Sequence, residues 1–252
     1  MQKLPISLSK QAILQEIFRK SLILLIFVAV FLLFSEVGLA HYLWVETPMQ
    51  VEPGESYEYE VFWGHLTADP SERSVTEVNV YLLEQPGLLS QLEYQNEEDY
   101  LQGKVEPEQS GVQQVFAVRP AGVYQLSLNQ FTARAINVYG EAEGIDRISP
   151  AGLPLEINLL NTPEEIIEGE ELNLQANYQG KPLAKADITM RSIANPEQEE
   201  ILTTDQEGRI EEVDSPDEPV LFNIEHNKEI SGEKDGYEYE EINLYHTLFL
   251  GL

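Results

Sequence analysis

The sequence predicts an all-β protein, with two tandem β-sandwich domains following an N-terminal export signal. Three observations carry this expectation. After residue 40, apolar and polar residues alternate with period two almost everywhere, as they do in half-buried strands. Gly, Pro, Asn and Asp punctuate the gaps between the alternating stretches, which marks turns. No helical stripe follows the signal, and many short strands separated by turns are the mark of β-sandwiches.

Residues 1–40 read as the export signal. Lys3, Lys10, Arg19 and Lys20 form a basic start, Ser21 to Phe34 an apolar core, and Gly38 and Ala40 supply small residues before a cut. The apolar core is short for a spanning helix of about 20 residues. Two readings share export: cleavage after Ala40, or retention as an N-terminal anchor.

The mature chain opens with "HYLWVE", read as the first strand. "ESYEYEVFW" sets Tyr57, Tyr59, Val61 and Trp63 against Ser56, Glu58, Glu60 and Phe62. "EVNVYLL" alternates Val78, Val80 and Leu82. The segment Pro86 to Gly103 breaks the pattern and is read as a short helix or a long loop. "QVFAVR" and "GVYQLSL" follow, with "PAG" between them as a turn. "GIDRISPAGLP" (Gly144 to Pro154) has Gly and Pro but no alternation, and divides the chain into domains at 41–150 and 151–252. The second half continues with "LEINLL", "ELNLQANY", "ADITMRS", "PVLFNIEH" and "EINLYHTLFLGL". The acidic tract Thr162 to Leu172 is read as a strand–turn–strand connection. Tight turns are expected at Gln179-Gly180 and around Asp205 and Gly208, with Asp205 capping its own turn.

Composition excludes several function classes. The chain has no cysteine, so an exported form has no disulfide framework and no thiolate ligands. Setting aside Lys3, Lys10, Arg19, Lys20, Glu16 and Glu36 leaves 11 basic and 42 acidic residues in the mature part, a net charge of -31. Such a surface repels nucleic acid and anionic lipid. The acids are scattered, as in an adaptation for solubility, and no Asp-x-Asp-x-Asp-Gly calcium loop occurs. No Gly-x-Ser-x-Gly elbow, Walker loop or HExxH pattern is present, and the sequence is read as that of a non-enzyme.

The four histidines carry the remaining chemistry. Cleavage after Ala40 would make His41 the first residue, whose α-amine (reference pKa about 8) and ring chelate one ion together. His65 follows Gly64 where a strand runs out into a loop. His226 is in phase with Val220, Phe222 and Ile224, and His246 with Ile242, Leu244, Leu248 and Leu250. Both therefore face inward, as hydrogen-bonded core residues or as ligands. Imidazoles joined by a terminal amine suit copper, nickel or zinc and suit magnesium or calcium poorly.

"AHYLWVE", "GESYEYEVFWGH" and "AGVYQLSL" resemble the N-terminal part of bacterial exported proteins often labelled NikM-like and associated with nickel or cobalt uptake. "GEELNLQANYQGKPLAKADITM", "TTDQEGRI" and "YHTLFLGL" are similar to that family's C-terminal Ig-like or transthyretin-like region. The resemblance covers nearly all of the mature chain and departs from the family in its acidity and scarce lysine. It implies an all-β periplasmic protein with a transition-metal link, with His41 and His65 matching the "AH…W" and "GH" signatures and a membrane metal transporter as a partner; with the donor chemistry above, nickel, cobalt or copper is the expected ion. Metal ligands are thus expected at His41 and His65, with His246 and His226 as further candidates. The alternative is a non-enzymatic cell-envelope module that binds protein or glycan and no metal. The sequence leaves the oligomeric state open.

Overall fold

The computed structural model describes residues 41–251, apart from 67–74, 76, 86–87, 142–143, 146 and 216–217, together with Arg19 and Lys20 in a helix. The expected export signal otherwise lies outside the described residues. His41–Leu252 forms one compact unit, and it is nearly all β.

Three layers build it. The first is a four-stranded antiparallel sheet of β1 (Tyr42–Glu46), β3 (Tyr57–Gly64), β7 (Leu101–Val105) and β6 (Tyr94–Asn96), in that order. The central sheet has nine strands. Its path runs through β14 (Glu199–Thr203), β13 (Asp187–Ser192), β16 (Val220–Lys228), β19 (Glu241–Leu250), β9 (Ser127–Tyr139), β8 (Gly111–Tyr124), β4 (Asn79–Gln85) and β5 (Leu88–Leu92). The short β2 (Gln50–Val51) pairs with the far end of β9. The third layer joins β10 (Leu155–Leu159), β11 (Leu172–Tyr178), β12 (Lys181–Pro182) and β15 (Arg209–Val213). A separate hairpin of β17 (Gly232–Lys234) and β18 (Tyr237–Tyr239) completes the strands.

Parity along the central strands explains the layering, because successive side chains point to opposite faces. On β9, Ala133 and Ala135 pack into a core with Leu43, Val45, Tyr59 and Val61 of the first layer. Ile136 and Val138 pack into a second core with Ile157, Leu159, Leu172 and Leu174 of the third. β16 and β19 divide the same way: Leu221 and Phe249 face the first core, while Phe222, Ile224, Leu244 and Leu248 face the second. A sheet covered on both faces needs apolar residues at both parities, which "TLFL" supplies.

Residues on both sides of position 150 contribute to the central sheet. β9 and β19 pair in parallel from Ser127↔Glu241 to Ala135↔Phe249. The strand-free stretch 147–153 lies between the halves and is tied down: the Ser149 carbonyl accepts from Gln114 and Arg134, and Ile148 is buried.

Three local expectations are corrected. Pro86 to Gly103 contains β5, β6 and the start of β7 rather than a helix or a long loop. Tyr59, whose hydroxyl donates to the Glu93 carbonyl, and Tyr94, which donates to the Val78 carbonyl, lock that segment between sheets. "PAG" is not the turn: β8 runs through it with a register shift between Arg119 and Gly122. The chain reverses at Gln125-Leu126 (φ 50° and 65°). The acidic tract holds a short helix, α1 (Pro163–Ile167). Its Thr162 side chain accepts from the Glu165 amide while the Glu165 carboxylate accepts from the Thr162 amide, a capping box with Pro at the first turn. The Gln179-Gly180 turn is present (φ 50° and 72°), and Asp205 accepts from the amides of Glu207 and Arg209 as expected.

Candidate metal centre

The first layer brings two histidines together by strand register. β1 and β3 pair antiparallel from Glu46↔Glu60 to Tyr42↔Gly64. One further step along the same register sets His41 opposite His65. Gly64 stands at φ 154°, a conformation that side-chain-bearing residues rarely adopt, and nothing lies within 4 Å of a Cβ built there. Glycine is needed at that corner for backbone freedom rather than for space.

The His41 and His65 ring centroids lie 4.3 Å apart with 42° between planes. The His41 ring stacks on Trp63 at 5.7 Å and 15°. Trp63 meets the edge of Phe131 at 4.6 Å, and Phe131 stacks on Tyr245 at 4.5 Å. The Arg119 guanidinium lies 4.1 Å from the Trp63 ring centroid. The pair is therefore seated on an aromatic floor that continues into the first core. Nδ1 of His65 is buried and finds no hydrogen-bond partner among the described residues, which leaves a nitrogen for another use.

Sequence reasoning found the two histidines but not what surrounds them. Trp63 was legible by phase as an inward residue. Arg119 and Phe131 face each other across β8 and β9, and no short-range motif announces them. The convergence of His41 and His65 was itself within reach of the sequence: pairing the opening strand antiparallel with "YEYEVFWGH" in this register aligns the two.

His226 and His246 do not join the pair. They lie on strands of the central sheet, in phase with the residues of the second core, whereas the His41–Trp63–Phe131 stack belongs to the first. The correction has a plain cause, since an inward phase does not say which of two cores a central strand faces. His246 is fully buried, and its Nδ1 lies 3.0 Å from Thr132 Oγ1. That hydroxyl also donates to the Tyr245 carbonyl at 3.3 Å, so its oxygen is left to accept from an Nδ1–H of His246. Burial, aided by the nearby Arg134 charge, pushes the His246 imidazole down to about 3. Arg134 is itself fully buried and is held by Glu156 at 3.2 Å, Asn158 at 3.1 Å and two backbone carbonyls. The His226 ring lies against Tyr178 at 4.6 Å, and burial, then Lys228, lowers its pKa.

Among the described residues no group of three or more His, Asp or Glu is arranged to hold a metal ion.

A family model described as "Domain of unknown function (DUF4198)" matches residues 39–213. No curated protein matches. Among solved structures, the D0-D1 domain of intimin aligns at 10% identity over 84% of this chain and 100% of that one, with a TM-score of 0.26. Likeness at that level says nothing about the site.

Proposed function

We propose, from the premise that the chain belongs to the DUF4198 family of unknown function, that it is an exported periplasmic accessory protein. In this reading it binds a divalent transition metal (nickel, cobalt or copper) and serves metal uptake beside a membrane metal transporter. One observation carries the proposal: His41 and His65, 24 residues apart in sequence, have ring centroids 4.3 Å apart. Two neutral imidazoles suit late first-row metals. Release of the export signal after Ala40 would add the α-amine of His41 as a third nitrogen donor beside the two rings. The NikM-like resemblance of "AHYLWVE" and "FWGH" supports the same assignment.

Calorimetric titration with Ni²⁺, Co²⁺ and Cu²⁺ tests it, using protein that begins at His41 and protein carrying one extra N-terminal residue. The first is expected to bind one equivalent and the second much more weakly. Equal binding by both removes the amine from the site, and no binding by either ends the metal reading.

A second reading, an envelope interaction module without metal, draws on a different feature. Tyr124, Leu126 and Tyr237 are more than half exposed. They sit at the tips of two hairpins linked by the Glu240 amide donating to the Leu126 carbonyl. Failure of both proteins to bind metal would favour this reading.

A further inference from the structure

We infer that Trp63, Phe131 and Tyr245 form a one-electron relay, which carries oxidising equivalents away from the histidine pair to a tyrosine seated beside a proton acceptor. The inference uses rings and fixed charges, needs no metal ion and stands apart from the metal reading.

Strand register builds the relay. Arg119 of β8 lies opposite Phe131 of β9, Phe131 opposite Tyr245 of β19, and Tyr245 opposite Glu225 of β16. These strands are consecutive neighbours in the central sheet, and residues directly opposite share a face. The four side chains thus form one row, with a cation at one end and a carboxylate at the other. Trp63 of the first layer packs onto the cationic end. Its ring makes an edge contact with Phe131 at 4.6 Å, and the Arg119 guanidinium lies 4.1 Å from its centroid. Phe131 stacks on Tyr245 at 4.5 Å and 9°. A single ring therefore bridges the indole and the phenol.

The charges give the row a direction. A hole on Trp63 is a positive charge beside a guanidinium, and Coulomb repulsion raises its cost there. At the other end the Tyr245 hydroxyl hydrogen-bonds to the Glu225 carboxylate, with the Glu241 charge nearby. Burial first, then Glu225, push the Tyr245 pKa up to about 12, so the phenol holds its proton until it is oxidised. An oxidised phenol is a strong acid, and Glu225 stands ready to receive its proton.

The steps balance. An oxygen-derived radical takes one electron from the Trp63 indole and leaves as its anion. Tyr245 gives one electron to the Trp63 radical cation as its O–H bond breaks, and the proton passes to Glu225. Trp63 is restored and a tyrosyl radical remains. Tyr245 is half-buried and Glu225 exposed, so a hydrogen-atom donor in solvent, such as a thiol, can restore the phenol while Glu225 returns its proton to water.

Pulse radiolysis with azide radical, which oxidises tryptophan selectively, tests this on protein beginning at His41. Trp44→Phe leaves Trp63 as the one tryptophan of the two in the chain. The indolyl absorption is expected to decay as tyrosyl absorption grows, at a rate independent of protein concentration. Adding Tyr245→Phe, which keeps the ring stack and removes only the phenol, should abolish that growth, and Glu225→Gln should slow it. Should Trp44→Phe fold poorly, the comparison runs with Trp44 intact, and Tyr245→Phe must then remove part of the tyrosyl yield. Tyrosyl growth that persists undiminished in Tyr245→Phe, or a rate that rises with protein concentration, would overturn the relay. An unchanged rate in Glu225→Gln would overturn its proton acceptor and with it the directed transfer.

Discussion

Two residues on one face of the central sheet, His246 and Arg134, give the fold one acid-sensitive point. His246 pairs with Thr132 and Arg134 with Leu248 across β9 and β19, so both side chains enter the second core, with Glu156 facing them from the third layer. The folded state holds His246 neutral down to about pH 3, whereas an unfolded chain protonates it near 6.5. Below 6.5 the unfolded state therefore binds more protons, and stability present above that pH drains away as acid is added. His246 is expected to contribute a slope of roughly 1 kcal/mol per pH unit between about 6.5 and 3. Urea unfolding across this range should show the slope in the native protein and a shallower one in a His246→Leu variant; parallel curves would refute the assignment. At this scale the sequence was partly legible. The inward phases of His226 and His246 were plain from their apolar neighbours. The buried Arg134–Glu156 contact was not, because Arg and Glu in alternating strands read as solvent-facing until both sides of the sheet are known to be covered.

At the scale of elements, strands were legible where alternation was clean, and turns at some of the positions that glycine marked. β3, β10, β11, β13 and β16 lie where the pattern put them, and Gln179-Gly180 reverses the chain as expected. The misses share a cause: strong local signals were outweighed by pairing partners. Pro120-Ala121-Gly122 looks like a turn, yet β9 offers a continuous partner and β8 passes through with an irregularity. The reversal falls instead on Gln125 and Leu126, both at positive φ, where Asn-Gly is the favoured pair. A leucine held in the left-handed region is uncommon. Replacing the pair by Asn-Gly should therefore stabilise the protein by about 0.5–1 kcal/mol. Thermal unfolding of the double variant measures this, and a lower melting temperature would show that Leu126 makes contacts worth more than its strain. α1 escaped for a related reason. Five residues are too few for a helical stripe, and only the Thr162-x-x-Glu165 spacing carried a signal.

At the scale of the whole compact unit, one sheet serves two cores. The first core draws Leu221 and Phe249 from the second half of the sequence, and the second draws Met49, Ile136 and Val138 from the first half. Neither core closes without strands from the other half. Chemical unfolding of residues 41–252 should accordingly follow a single transition seen alike by tryptophan fluorescence and circular dichroism, and residues 41–150 alone should fail to give a cooperative transition. Two separated transitions would show that the cores are independent. Local pattern could not reveal this sharing, because parallel pairing of segments more than a hundred residues apart leaves no mark in either segment. The placement of β19 also governs the order of events when the chain folds. It is the strand most distant in sequence from β1, yet it lies between β16 and β9 in the middle of the central sheet. Until it arrives, β9 lacks one neighbour, β16 lacks another, and both cores gape. Folding is thus a late event, slowed by the long loop that β9 and β19 must close. A chain emerging gradually from a ribosome or a membrane pore stays incomplete, and open to a chaperone, until residues 241–250 are free to insert.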